Sequence, residues 1–98
     1  MENHSNINQI TWRGITIEVT YFPNKWNSIA HIEVRSIHPE RAPIPITETG
    51  YKSHFLPIGI LEENQITAAE MILQWIEKEA ESTAWKNLEQ STKQLSLF

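Results

Sequence analysis

Between Ile15 and Phe22 the chain reads ITIEVTYF, with Ile15, Ile17, Val19 and Tyr21 on one side of an extended backbone and Thr16, Glu18 and Thr20 on the other. This period of two marks a half-buried strand. Residues 28 to 37 alternate again, Ala30, Ile32 and Val34 opposing His31, Glu33 and Arg35, and predict an antiparallel strand whose polar face looks outward. Arg13-Gly14 reads as a turn that pairs a short strand, Gln9 to Trp12, with the strand beginning at Ile15, the glycine supplying positive φ at little cost. Pro23 and Asn24 read as the end of that strand.

The stretch HPERAPIPITETGYKSHFLPIG holds four of the five prolines and predicts an irregular connection with one edge strand near Lys52 to Leu56. Beyond it the period becomes helical, with Ile66, Ala69, Ile72, Leu73, Ile76 and Ala80 recurring at three- and four-residue steps. Asn64 is the expected N-cap, with Glu70 too far along to close a capping box on it. Ala84 and Leu88 continue the stripe, so one helix is expected from about Gln65 to Glu89, weakest at Glu81-Ser82-Thr83. The expected fold is α+β, a small antiparallel sheet of three or four strands packed by one long C-terminal helix. Ile66, Ala69, Leu73 and Ile76 would meet Ile17, Val19, Ile32 and Val34. Residues 1–90 would form the single domain and residues 91–98 a tail.

Composition narrows the class. Ninety-eight residues at 40% hydrophobic content suit one modest core, and the absence of cysteine removes disulfides, thiolate metal sites and a cysteine nucleophile. The net charge of −4 resides in residues 61–98, which carry seven acids and three lysines. Without clustered Lys and Arg, strong direct nucleic-acid binding is not expected. A polar start, MENHSNINQ, and the lack of about 18 consecutive apolar residues predict a soluble, cytoplasmic protein with no membrane association.

Candidate chemistry is sparse. His31, Glu33, His38, Glu40 and His54 are the residues from which a His/carboxylate metal site would be drawn, but no spacing pre-organises them, and no metal or cofactor is assigned. Ser53 and His54 are neighbours on an extended segment and point to opposite sides, so no catalytic residue is assigned either. His31, Glu33, Glu48, Tyr51, Lys52 and His54 form a polar surface on which a small enzyme or ligand-binding domain would rely. Trp75 and Trp85 lie off the main helical stripe, and Trp26, in a polar loop, is the best candidate for an exposed aromatic anchor. An acidic helix face from Glu70 to Glu81 would suit a second, basic protein partner.

The chain ends with KQLSLF. Gln94, Leu95, Ser96, Leu97 and Phe98 resemble the pentapeptide with which bacterial polymerases and repair factors dock on the sliding clamp, the β subunit of DNA polymerase III. The usual form is Gln-Leu-(Ser or Asp)-Leu-Phe, and no position departs from it. The resemblance implies that Leu97 and Phe98 enter an apolar pocket on the clamp, that Gln94 hydrogen-bonds at its rim, and that Leu95 and Ser96 carry extended backbone between them. Glu89 to Lys93, polar and rich in Ser and Thr, reads as a tether. The expected function is thus a non-enzymatic clamp-binding adaptor or regulator in DNA replication or repair. The alternative is a small enzyme or ligand-binding domain built on the polar surface.

Overall fold

Four strands form an antiparallel meander in the order β1-β2-β3-β4: β1 Asn6–Trp12, β2 Ile15–Lys25, β3 Ile29–His38 and β4 Tyr51–Leu56. The computed structural model describes residues 5–95, and side chains as far as Ser91. Arg13 and Gly14 join β1 to β2 with both residues at positive φ, as a two-residue hairpin turn requires. Between β2 and β3 the turn is three residues long, Trp26 to Ser28, with Trp26 and Asn27 at φ 61 and 56. Pro23 and Asn24 therefore do not end β2. They sit in a register shift between Phe22 and Lys25, a bulge where the proline needs no ladder partner.

The helix expected from about Gln65 to Glu89 is instead two helices, α2 Ala68–Glu79 and α3 Thr83–Leu95, and a short additional helix, α1 Ile60–Glu63, precedes them. Asn64 is not the N-cap of the long segment but the C-cap of α1. Thr67 caps α2, its hydroxyl accepting from the Glu70 N–H while the Glu70 carboxylate accepts from the Thr67 N–H, each at 3.0 Å. This reciprocal pair is the capping box that Asn64 cannot close. The break after α2 falls at the weak point, because Ser82 uses its hydroxyl to accept from Trp85 N–H at 3.1 Å and so starts a new helix. α3 continues to Leu95, so residues 89–93 are helical rather than a coiled tether. Ser96, Leu97 and Phe98 lie outside the described residues. Among the described residues, no helix is long and apolar enough to cross a membrane.

Ile17, Val19, Ile32 and Val34 face the helices and are fully buried against Ile72 and Ile76 of α2. The stripe that enters the core is centred on Ala68, Ile72 and Ile76, with Ile66, Leu73 and Trp75 only partly buried at its margins. Each fully buried isoleucine contributes about 1.5–3 kcal/mol, so these contacts dominate the stability of so small a domain. α3 is fastened at its first turns by Trp85, whose ring lies 5.7 Å from that of Trp12, and by a 2.9 Å ion pair between Arg13 and Glu89.

The β3–β4 connection is tied down by buried Ser36. Its hydroxyl donates to the Ala42 carbonyl at 2.7 Å, its N–H donates to the Gly50 carbonyl, and its carbonyl accepts from Arg41 N–H. Gly50, at φ 78, lies so close to Arg41 that an added Cβ would sit 2.6 Å from that residue's backbone. Gly50→Ala is therefore expected to cost at least ~2 kcal/mol, through both strain and collision. Thr67→Ala, which removes only a cap, should cost about 1 kcal/mol. Chemical denaturation of the two variants beside the parent checks the ordering.

Candidate functional site

All three helices pack on one face of the sheet, and the alternation of the strands puts a second set of side chains on the opposite face. From the register these include Thr20 and Phe22 of β2, His31, Glu33 and Arg35 of β3, and Tyr51, Ser53 and Phe55 of β4. Tyr51 and Phe55 are each close to half exposed, whereas His31 is only 3% exposed. No helix buries His31. Cross-strand neighbours do: Phe22 and Phe55 are its register partners on either side, and their rings stack on the imidazole at 5.6 and 4.4 Å with interplanar angles of 17° and 11°.

Both ring nitrogens of His31 are engaged. Lys25 Nζ lies 3.1 Å from Nδ1, and Ser53 Oγ meets Nε2. The bulge at Pro23 and Asn24 explains the lysine's position. An extra residue reverses the alternation, bringing Lys25 onto the face of Phe22, where its ammonium also lies 4.8 Å from the Phe22 ring centre. An ammonium only donates, so Nδ1 is the acceptor and the proton sits on Nε2, donated to Ser53. Burial, and after it the charge of Lys25, holds the His31 pKa below its ordinary 6.5, against a smaller opposing pull from Glu33. In this arrangement the imidazole has no free lone pair toward Ser53, so it does not serve as the base that a serine nucleophile needs.

At the other end of β3 and β4 the face adjoins an open cleft of about 470 Å³, lined by Arg35, Ser36, Glu40, Arg41, Thr49, Gly50 and Tyr51. The close approach of Gly50 to Arg41 places this second arginine beside the sheet. Trp26 stands at the opposite end, 69% exposed, with Lys25 Nζ 5.1 Å from its ring centre.

The residues grouped by sequence as one polar surface are divided by the sheet. His31, Glu33 and Tyr51 share the helix-free face, while Lys52 and His54 face α2 and pack on Trp75, at 5.6 and 5.0 Å from its ring. Glu48 is exposed on the β3–β4 connection. The histidines and carboxylates considered as metal ligands are not gathered: among the described residues no three His, Asp or Glu side chains are placed to hold an ion. Gln94 and Leu95 continue α3, and Ser96, Leu97 and Phe98 fall outside the described residues. Sequence reasoning missed Phe22, Lys25, Arg41 and Phe55. Alternation alone would have put Phe22 opposite the core, and the Ser53–His31 bond needs the β3–β4 register.

The geometry defines an α+β domain whose meander is covered on one face and carries aromatic rings and cations on the other. A family described as the KlcB third domain matches residues 5–85, and the chain belongs to it. No curated protein and no solved structure matches the chain. The match takes in the whole sheet, α2 and the first turn of α3.

The His31 geometry has a pH consequence. Its pKa is depressed in the folded state, so the unfolded chain binds the proton more readily. The stabilisation is complete above about 6.5 and is lost as pH falls from there through the lower folded value. Lys25→Met should raise the His31 pKa only in part, because burial is the larger cause. An imidazole-proton NMR titration of parent and variant measures this directly.

Proposed function

We propose that this protein is a non-catalytic adaptor that docks on a bacterial sliding clamp through Gln94 to Phe98 and presents its helix-free sheet face to a second ligand. The observation that carries the reading is the match at all five motif positions. Leu97 and Phe98 supply the apolar side chains for a preformed pocket, and Gln94 an amide for its rim. The anchoring of α3 on Trp12 and Arg13 holds the motif to the domain, and because α3 runs through Gln94 and Leu95, docking with Leu95 extended requires its last turn to unwind. A binding rather than catalytic role is supported by the His31 tautomer, which leaves Ser53 without a base. The family's description as a third domain suits a unit that works by attachment.

Replacing Leu97 and Phe98 together with Ala should abolish clamp association. Each large apolar side chain contributes on the order of 1.5–3 kcal/mol when buried, and a peptide-scale interface does not survive losing both. Gln94→Ala should weaken binding less, by about 1–3 kcal/mol. Thermal unfolding of the double variant should match the parent. A lower melting temperature with no clamp-dependent signal in either protein would mean that these side chains pack on their own domain and would end the proposal. Surface plasmon resonance on immobilised clamp, paired with calorimetry, reads both quantities.

A further inference from the structure

We propose that the helix-free face of the sheet binds single-stranded DNA, with bases stacking on Phe55, Tyr51 and Trp26 and phosphates held by Lys25, Arg35 and Arg41. The assignment of this face as the binding surface stands on its own geometry. Only the choice of DNA over RNA rests on the clamp reading.

Three observations converge. The first is ring presentation: Phe55 is held flat by its 4.4 Å stack on His31, yet remains 47% exposed, so its geometry is fixed by one neighbour and its exposed side is free for another π-system. Tyr51 lies four residues away on the same strand and face, ~14 Å along the sheet, which leaves room for intervening nucleotides. The second is cation placement. Lys25 is brought to this face by a bulge, and Arg35 and Arg41 line the cleft beside Tyr51, so a cation stands beside a ring at each end of β3, with Glu33 between them. Glu18 and Glu33 stand beside Arg35 on this face and Glu40 lines the cleft with Arg41, so the face is close to neutral, whereas the helical segment carries the net −4; a polyanion meets less repulsion here than on the helical side. The third is backbone strain. Trp26 is held at φ 61, a conformation costly for an aromatic residue, yet it is exposed and contributes nothing to the core.

Stacking rather than charge supplies most of the binding. Aromatic platforms tolerate any base, and with three cations the salt dependence should be shallow, a log–log slope of about −2. Affinity in the range ~1–100 μM follows for so few phosphate contacts, consistent with the absence of a basic cluster in the sequence.

Fluorescence anisotropy with a labelled DNA strand of about 12 nucleotides, the same sequence as RNA and the same sequence as duplex tests this on the full chain. The expected result is binding of the single DNA strand, weaker binding of duplex, and about tenfold or greater loss in Phe55→Ala. Tyr51→Ala and Trp26→Ala should show comparable losses, and their exposed positions keep the test valid if Phe55→Ala unfolds. No binding at ~100 μM protein, preference for duplex or RNA, or parent-like binding by all three variants would overturn the proposal. So would sedimentation showing a dimer that Phe55→Ala dissociates, because a second copy would then cover the face. The Leu97→Ala, Phe98→Ala variant should bind DNA as the parent does, and its loss of DNA binding would overturn the assignment to the sheet. If the clamp signal fails while the sheet variants lose DNA binding, the clamp reading alone falls.

Discussion

The helical segment covers one face of the sheet, and the rest of the structure follows from that limit. Ile72 and Ile76 of α2 are buried against Ile17, Val19, Ile32 and Val34, and this contact holds the meander together. Among the described residues no helix covers the opposite face, and its order comes from side chains of the strands themselves. It achieves this where Phe22, His31 and Phe55 lie in cross-strand register and their rings stack face to face across three strands. The result is a buried histidine on the uncovered side, closed by neighbours to its left and right rather than from above.

The stack is finished by polar partners on both ring nitrogens. Lys25 reaches the Nδ1 side of His31 because β2 carries a bulge, and Ser53 receives the Nε2 proton. The ring is thereby fixed in one tautomer, which makes it a support for Phe55 rather than a general base. Tyr21 illustrates the same economy on the covered face. It donates to Glu62 at 3.0 Å, and burial together with that carboxylate pushes its pKa up to about 12, so it stays a neutral donor tying β2 to α1. The titratable groups with displaced pKa values thus serve to hold elements in place.

Much of the scaffold was legible in the sequence, since the period-two runs placed β2 and β3 and the period of 3.6 located α2. Where reading failed, local chemistry or distant pairing was responsible. Pro23 ordinarily stops a strand, but at a bulge it costs no ladder bond, so β2 runs on to Lys25. Thr67-x-x-Glu70 is a capping signature in plain view, and Asn64 masked it because it also resembles a cap. Ser82 shows that the weak point in the long apolar stripe was a true boundary with its own cap. The candidate site was less legible. Whether His31 is exposed or buried depends on Phe55, 24 positions along, and on the β3–β4 register that aligns them. The split of Lys52 and His54 from Tyr51 follows from strand alternation once β4 is known to begin at Tyr51.

The central claim is that two separate surfaces, the uncovered sheet face and the Gln94–Phe98 peptide, bind two separate partners. Amide-resolved NMR of the labelled protein, titrated first with sliding clamp and then with single-stranded DNA, tests it most directly. The account predicts that clamp perturbs resonances beyond Glu89 while those of β3 and β4 stay in place. DNA should then shift Arg35, Tyr51, Ser53 and Phe55 with clamp still bound. Displacement of one partner by the other, or perturbation of the same residues by both, would contradict it.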